Sequence, residues 1–284
     1  MAEGSAMCRL LGRASLEPLT DLDVIGAGSC TDFQQLGRLH ADGWGTAWLA
    51  EDRTSGKQGM ARLRDPGDPV AAAALTESLT RVPSRLRVTH LRLATTGMAN
   101  QVSNTHPFQW RDIVLAHNGS VSPVTELRAL VTSEELEQIG GSTDSAMVFA
   151  LIVRELERGV PLFEAVVDVV ARLRRQFPRA ALNLLVASPA EMIAVHANQG
   201  ALNPTAELMA AGRGAELPRG HLDHYYQLSW RQDPGSVVFS SSGLDTDGWT
   251  PMAHNTAARV DLATLAVEFR PIGGPELARD PQAA

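Results

Sequence analysis

The sequence predicts an α+β fold in which sheets are covered by helices. Three observations carry that expectation: short strand-like runs over the first 120 residues, two adjacent amphipathic helix patterns between 143 and 175, and a return to strand-like runs from 181 onward. With 284 residues, 44% of them hydrophobic, the chain can bury a sizeable core as one large domain or two small ones.

In order along the chain, residues 8–50 read as strands and turns. Gly43 and Gly45 bracket Trp44, and Ala47-Trp48-Leu49 follows, the pattern of a turn entering a strand. Residues 69–82 are alanine-rich and helix-like, closed by Pro83. Residues 86–93 alternate in the β manner. Residues 113–116 form a short buried-strand run that ends in Asn118-Gly119, a strong hairpin-turn signal. Residues 143–158 give the clearest helix: Ser142 or Thr143 can cap it, Asp144 suits the positive end of its dipole, and Gly159 stops it. Met147, Val148, Leu151, Ile152 and Leu156 make its apolar stripe. A second helix starts after Pro161 with Phe163, Val166, Val167, Val170 and Leu173 inward, and Arg172, Arg174 and Arg175 on a solvated face. Further strands are expected at 181–187, 192–197, 225–231, 236–241 and 265–269, with an irregular loop over 200–220.

Net charge is −7, from 25 basic and 32 acidic residues, which argues against a nucleic-acid or acidic-membrane surface. No apolar run approaches the roughly 20 residues that a membrane span needs. Residues 1–6 lack the basic and apolar regions of a secretory signal, so a cytoplasmic location is expected. The two cysteines, Cys8 and Cys30, are expected to be reduced, and zinc-finger spacing is absent. No cofactor is expected.

Four polar motifs follow Cys8: Asp42-Gly43-Trp44-Gly45, Arg92 through Gly97, His117-Asn118-Gly119 and Thr143-Asp144-Ser145. Each has an ordinary reading and a chemical one. Cys8 is a small buried hydrophobe, or a nucleophile whose own α-amine takes its proton once residues 1–7 are gone. Asn118-Gly119 is a hairpin turn, or an oxyanion hole made of a side-chain amide and a backbone N–H. Arg92, beside Thr95, is a surface arginine or a bidentate carboxylate clamp. Asp144 is a first-turn helix acid or the acceptor of an α-ammonium group. His106, in Asn104-Thr105-His106-Pro107-Phe108, belongs to a turn or lines a pocket. His221 and His224 have a metal-ligand spacing but no partners.

As an ordered set these motifs, with Met7-Cys8-Arg9-Leu10-Leu11-Gly12, resemble the class II (N-terminal nucleophile) glutamine amidotransferases. The stand-alone, YafJ-type branch and the related ergothioneine-pathway amidohydrolase are the nearest in pattern. The resemblance implies a four-layer αββα Ntn-hydrolase sandwich of two antiparallel sheets over residues 8–270. It implies a γ-glutamyl amide substrate, with Cys8, Asn118 and Gly119 catalytic and Arg92, Thr95, His106 and Asp144 binding substrate. Residues 1–7 are expected to be a leader, a tag or a non-native start, and 271–284 a flexible tail. Glutamate is released with ammonia or an amine, either freely or toward a separate synthase partner. Two other readings stand beside this one: an inactive module that binds a γ-glutamyl ligand, and a metal-dependent hydrolase using His221 and His224.

Overall fold

The computed structural model of the chain describes residues 8–51, 56–93, 100–201 and 225–273. The chain opens with β1 (Arg9–Leu19), α1 (Asp21–Gln35), β2 (Trp44–Glu51), β3 (Gln58–Asp65), α2 (Ala73–Arg81) and β4 (Ser84–Leu91). Next come β5 (Phe108–Trp110), β6 (Ile113–Ser120), α3 (Val124–Arg128), α4 (Ser133–Ile139), α5 (Asp144–Glu157) and α6 (Leu162–Gln176). The rest is β7 (Ala181–Ala187), β8 (Glu191–Ala197), β9 (Leu228–Asp233), β10 (Ser236–Ser241), β11 (Thr250–Pro251), β12 (Thr256–Asp261) and β13 (Val267–Pro271).

Among the described residues the strands form two sheets, ordered β11-β9-β10-β1-β4-β2-β3 and β13-β12-β8-β7-β6-β5. Neighbouring strands in both are antiparallel. Strand alternation then sorts the side chains into layers. Leu10, Ala14, Leu86 and Val88 of the larger sheet meet Val114, Ala116, Leu185 and Ala187 of the smaller one. On the far side of the larger sheet, Leu11 and Leu91 pack on Phe33, Leu75 and Leu79 of α1 and α2. On the far side of the smaller sheet, Leu182, Leu184 and Val186 pack on α5 and α6. The fold is therefore the expected αββα sandwich. No described helix is long and apolar enough to cross a membrane.

α5 and α6 form as their patterns dictate. The Thr143 hydroxyl accepts from the Ala146 N–H, and Asp144 occupies the first turn. Other expectations need correction. Residues 21–35 are a helix rather than strand and turn. A capping box between Thr20 and Asp23 starts it, and it kinks at Gly26, where φ is 81°. Asn118-Gly119 lies inside β6, paired with Asn183 and Leu182, and is not a hairpin turn. The helix of residues 69–82 is confined to Ala73–Arg81. Arg174 is fully buried and donates to the carbonyls of Ala180 and Gln199, so only Arg172 and Arg175 of that trio face solvent. Residues 1–7, Thr95, the 202–224 stretch with His221 and His224, and 274–284 lie outside the described residues.

Candidate active site

Antiparallel register gathers the motifs at one end of the sandwich. β1 begins where β4 ends, with Arg9 opposite Leu91. β2 begins at the same end, with Trp44 also opposite Leu91. The Arg92 N–H donates to Gly43 O at 2.8 Å, and the Asp42 N–H to Arg92 O at 3.0 Å, so two sequence-distant motifs are stitched together by main chain. Gly45 is needed here: a Cβ would fall 2.1 Å from His106 O. That contact lets the residue 104–107 segment lie directly on β2. Arg64 donates to Thr105 O at 2.8 Å and Arg62 to Pro107 O at 3.1 Å, fixing the segment from the other side.

Cys8 is 2% exposed. Its main-chain N–H donates to Asn118 Oδ1 at 3.0 Å, a bond that crosses from one sheet to the other. The other end of the same amide, Asn118 Nδ2, is buried and has no partner. Its strand neighbour Asn183 is different, because Asn183 Nδ2 is taken by Tyr226 O at 2.7 Å. Gly119 has φ 153°, and a Cβ there would meet Ala181 O at 2.0 Å, so no other residue fits beside Asn118.

Burial pushes the Cys8 thiol up to about 11. A weak contact of Sγ to Leu93 O at 3.9 Å and the positive charges of Arg92 and Arg9 pull the other way without cancelling burial, while Asp144 adds to it. The thiol is thus protonated at neutral pH, and attack on a carbonyl requires a base close by.

Two buried histidines, His90 and His106, lie beside Cys8. His90 Nε2 lies 3.2 Å from His117 O and 2.9 Å from His106 Nδ1. A carbonyl only accepts, so His90 Nε2 carries its proton and His106 Nδ1 accepts. His90 Nδ1 and His106 Nε2 remain, both buried and without a partner. Burial lowers His90 to about 3 and His106 well below its usual value, so both rings are neutral. The His106 ring stands edge-on to His90 and to Phe108.

The two charged residues sit as follows. Arg92 is 3% exposed and gives Nη1 to Asp42 O at 3.2 Å and to Asn100 Oδ1 at 3.0 Å. Asp144 accepts from the Val121 N–H at 3.0 Å and the Ser145 N–H at 2.8 Å. Its helix is locked to β6 through His117, whose Nε2–H donates to Ala181 O at 2.9 Å and whose Nδ1 accepts from Ser145 Oγ at 2.8 Å. Asn104 Oδ1 adds a tie by accepting the Ser142 N–H at 3.1 Å. Cys8, Asn118, Gly119, Arg92, His106 and Asp144 are thus described and held in one bonded framework, while Thr95 lies outside the described residues. His90, Arg62 and Arg64 were not anticipated. His90 shares strand parity with Leu86 and Val88, which the alternation around it already revealed.

Comparison with known proteins bears on the family and the fold. The family model "Glutamine amidotransferases class-II" matches residues 7–221. The γ-glutamyl-hercynylcysteine sulfoxide hydrolase of Mycolicibacterium smegmatis is 31% identical over 163 residues, which are 57% of this chain and 63% of that protein. The glutamine–fructose-6-phosphate aminotransferase of Photorhabdus laumondii is 28% identical over 170 residues, 59% of this chain but only 25% of that protein. This chain therefore matches about a quarter of the length of that aminotransferase. Among solved structures, a glutamine aminotransferase class-II domain protein from Silicibacter pomeroyi superposes with a TM-score of 0.59 at 18% identity, over 94% of this chain and 100% of that one, a likeness of fold. Since the family model spans most of the chain, the chain belongs to the class-II glutamine amidotransferases, a family of enzymes.

Proposed function

We propose that the chain hydrolyses a γ-glutamyl amide through a γ-glutamyl thioester on Cys8. The observation that carries this reading is the Asn118 side chain. One end of the amide holds the Cys8 nitrogen and the other presents an unpartnered, buried N–H pair at the same place. Such a donor is what a developing oxyanion requires, and one of this kind supplies roughly 10²–10³ in rate.

Each group then has a task. With residues 1–7 removed, the nitrogen on Asn118 Oδ1 is a free α-amine, whose reference pKa is about 7.7–8.0. It takes the thiol proton as Sγ attacks the γ-carbonyl carbon. Asn118 Nδ2 and the Gly119 N–H hold the oxyanion. Collapse breaks the C–N bond, and the α-ammonium returns the proton to the leaving ammonia or amine. Water then cleaves the thioester, releasing glutamate and restoring the thiol. Arg92 binds the substrate α-carboxylate, Asp144 its α-ammonium, and Thr95 and His106 line the pocket.

The substrate is glutamine or a γ-glutamylated metabolite, and any ammonia either escapes or reaches a separate synthase. The domain limits of 8–270, the removable leader, the tail and the cytoplasmic location belong to the same proposal. The test is a glutamate assay on Cys8-terminated protein, with glutamine and a panel of γ-glutamyl amides. Cys8→Ala is expected to abolish glutamate release with every substrate that the parent cleaves. Equal turnover by that variant would overturn the reading. Intact mass of protein from its native host is expected to begin at Cys8.

A further inference from the structure

Cys8, His90 and His106 each offer one donor atom, and the three donors lie within 4.8 Å of one another. No other such group of three occurs among the described residues. All three side chains are at least nine-tenths buried. Two of their nitrogens, His90 Nδ1 and His106 Nε2, have no hydrogen-bond partner. The γ-glutamyl reaction described above uses the sulfur but assigns nothing to the His90 ring.

A thiol with two neutral imidazoles is the donor set that borderline-soft divalent cations prefer. With Zn–S near 2.3 Å and Zn–N near 2.0–2.1 Å, tetrahedral coordination puts donors about 3.3–3.6 Å apart. The nitrogens that face each other, His90 Nε2 and His106 Nδ1, are 2.9 Å apart, and the three donor atoms all lie within 4.8 Å of one another. Side-chain movements of about 1 Å therefore bring all three onto one ion. A metal there needs the His90 proton to move from Nε2 to the unpartnered Nδ1, while His106 keeps its proton on the unpartnered Nε2.

We propose that Cys8, His90 and His106 bind a Zn²⁺-class cation that caps the sulfur and switches the amidase off. Binding forms one metal–sulfur and two metal–nitrogen bonds and releases the thiol proton to solvent, with no change of oxidation state. The ion is an inhibitor competing with substrate for Sγ, and plays no part in turnover. The switch, though not the site, rests on Cys8 being the nucleophile.

The test uses Co²⁺ as an optical probe on Cys8-terminated protein. A thiolate-to-cobalt charge-transfer band and strong visible bands of a tetrahedral ion are expected at one equivalent, and Zn²⁺ should bleach both. Cys8→Ser should remove the charge-transfer band. His90→Gln and His106→Gln should each weaken binding at least tenfold, with folding checked by circular dichroism. Because those rings are buried, a second readout uses the unmodified chain: Zn²⁺ should slow alkylation of Cys8 by iodoacetamide at least tenfold, reversibly with a chelator. Absence of the band and of protection would overturn the site, and if Cys8→Ala is also inactive the nucleophile reading survives. A band without loss of glutamate release at substrate concentrations well below KM would overturn the switch, and the nucleophile reading is then decided separately by whether Cys8→Ala is inactive.

Discussion

Two buried polar clusters lie on opposite faces of β1 and β4, and they differ in how fully they are paired. On the outer face, Asp21 sits between two buried arginines, 3.1 Å from Arg13 Nε and 3.1 Å from Arg87 Nε. The second pair is out of line for a hydrogen bond, but the guanidinium groups are otherwise well occupied. Arg13 reaches Ser15 Oγ, Ser84 O and Leu19 O, and Arg87 reaches Thr46 Oγ1, Ser78 Oγ and Val82 O. On the inner face, His90 Nδ1, His106 Nε2 and Asn118 Nδ2 are buried with nothing to bond. An unmet buried polar group costs about 1–3 kcal/mol. In the outer cluster the two atoms without a hydrogen bond, Asp21 Oδ2 and Arg87 Nε, still face each other as an ion pair, whereas the three on the inner face have no hydrogen-bond or ion-pair partner. The outer cluster holds the sheet to α1 and α2. The inner one leaves His90 Nδ1, His106 Nε2 and Asn118 Nδ2 without protein partners, and under the proposed function the Asn118 amide is completed by substrate.

The largest effect should come from breaking the outer cluster. Asp21→Ala strands two buried arginines without a counter-charge and should cost about 3–5 kcal/mol in urea unfolding. The protein that remains folded should keep its kcat. A loss under about 1 kcal/mol would show the cluster to be less coupled than its geometry implies.

The reverse pattern is expected on the inner face. Asn118→Ala should lower kcat by about 10²–10³ with little change in KM. Its stability should fall by about 1–3 kcal/mol, because the buried Cys8 nitrogen loses its acceptor. Unchanged kcat would remove Asn118 from the chemistry.

A third ion pair calibrates both. Arg154 holds Glu135 through two bonds of 2.5 and 2.6 Å, and the side chains keep 27% and 20% of their surface exposed. That pairing lowers the Glu135 carboxyl from 4.5 to about 2, with the Thr132 capping bonds contributing. A depressed carboxylate stabilises the fold above its unfolded value and loses that contribution as pH falls from 4.5 toward 2. Arg154→Ala should cost at most about 1 kcal/mol at neutral pH. It should also flatten the fall in melting temperature across that acid window. An unchanged acid limb would assign the shift to the cap alone.

Legibility in the sequence followed how local the cause was. α5 and α6 were readable because caps, stripes and stop signals are local. The candidate site motifs stood out because their residue types suit the proposed chemistry, and Asn118-Gly119 proved to be strand only once β7 was beside it. α1 was hidden because Gly26 and Gly28 weaken its helix signal, while Cys30 and Phe33, buried in the fold, secure it. β3 was hidden because it is an edge strand whose one buried residue is Met60. Arg174 looked solvated because its carbonyl partners lie outside its own helix. His90 lay in plain alternation, and its meaning comes from two residues, Cys8 and His106, that it meets only in the folded sandwich.

The proposed reaction requires a transient bond between Cys8 sulfur and a γ-glutamyl carbon. Acid quenching during turnover, followed by peptide mass spectrometry, reads it directly. The peptide beginning at Cys8 should gain the mass of one glutamyl group, which disappears as substrate is exhausted. Steady glutamate release with no adduct at Cys8, or with the adduct on Cys30, would contradict the account.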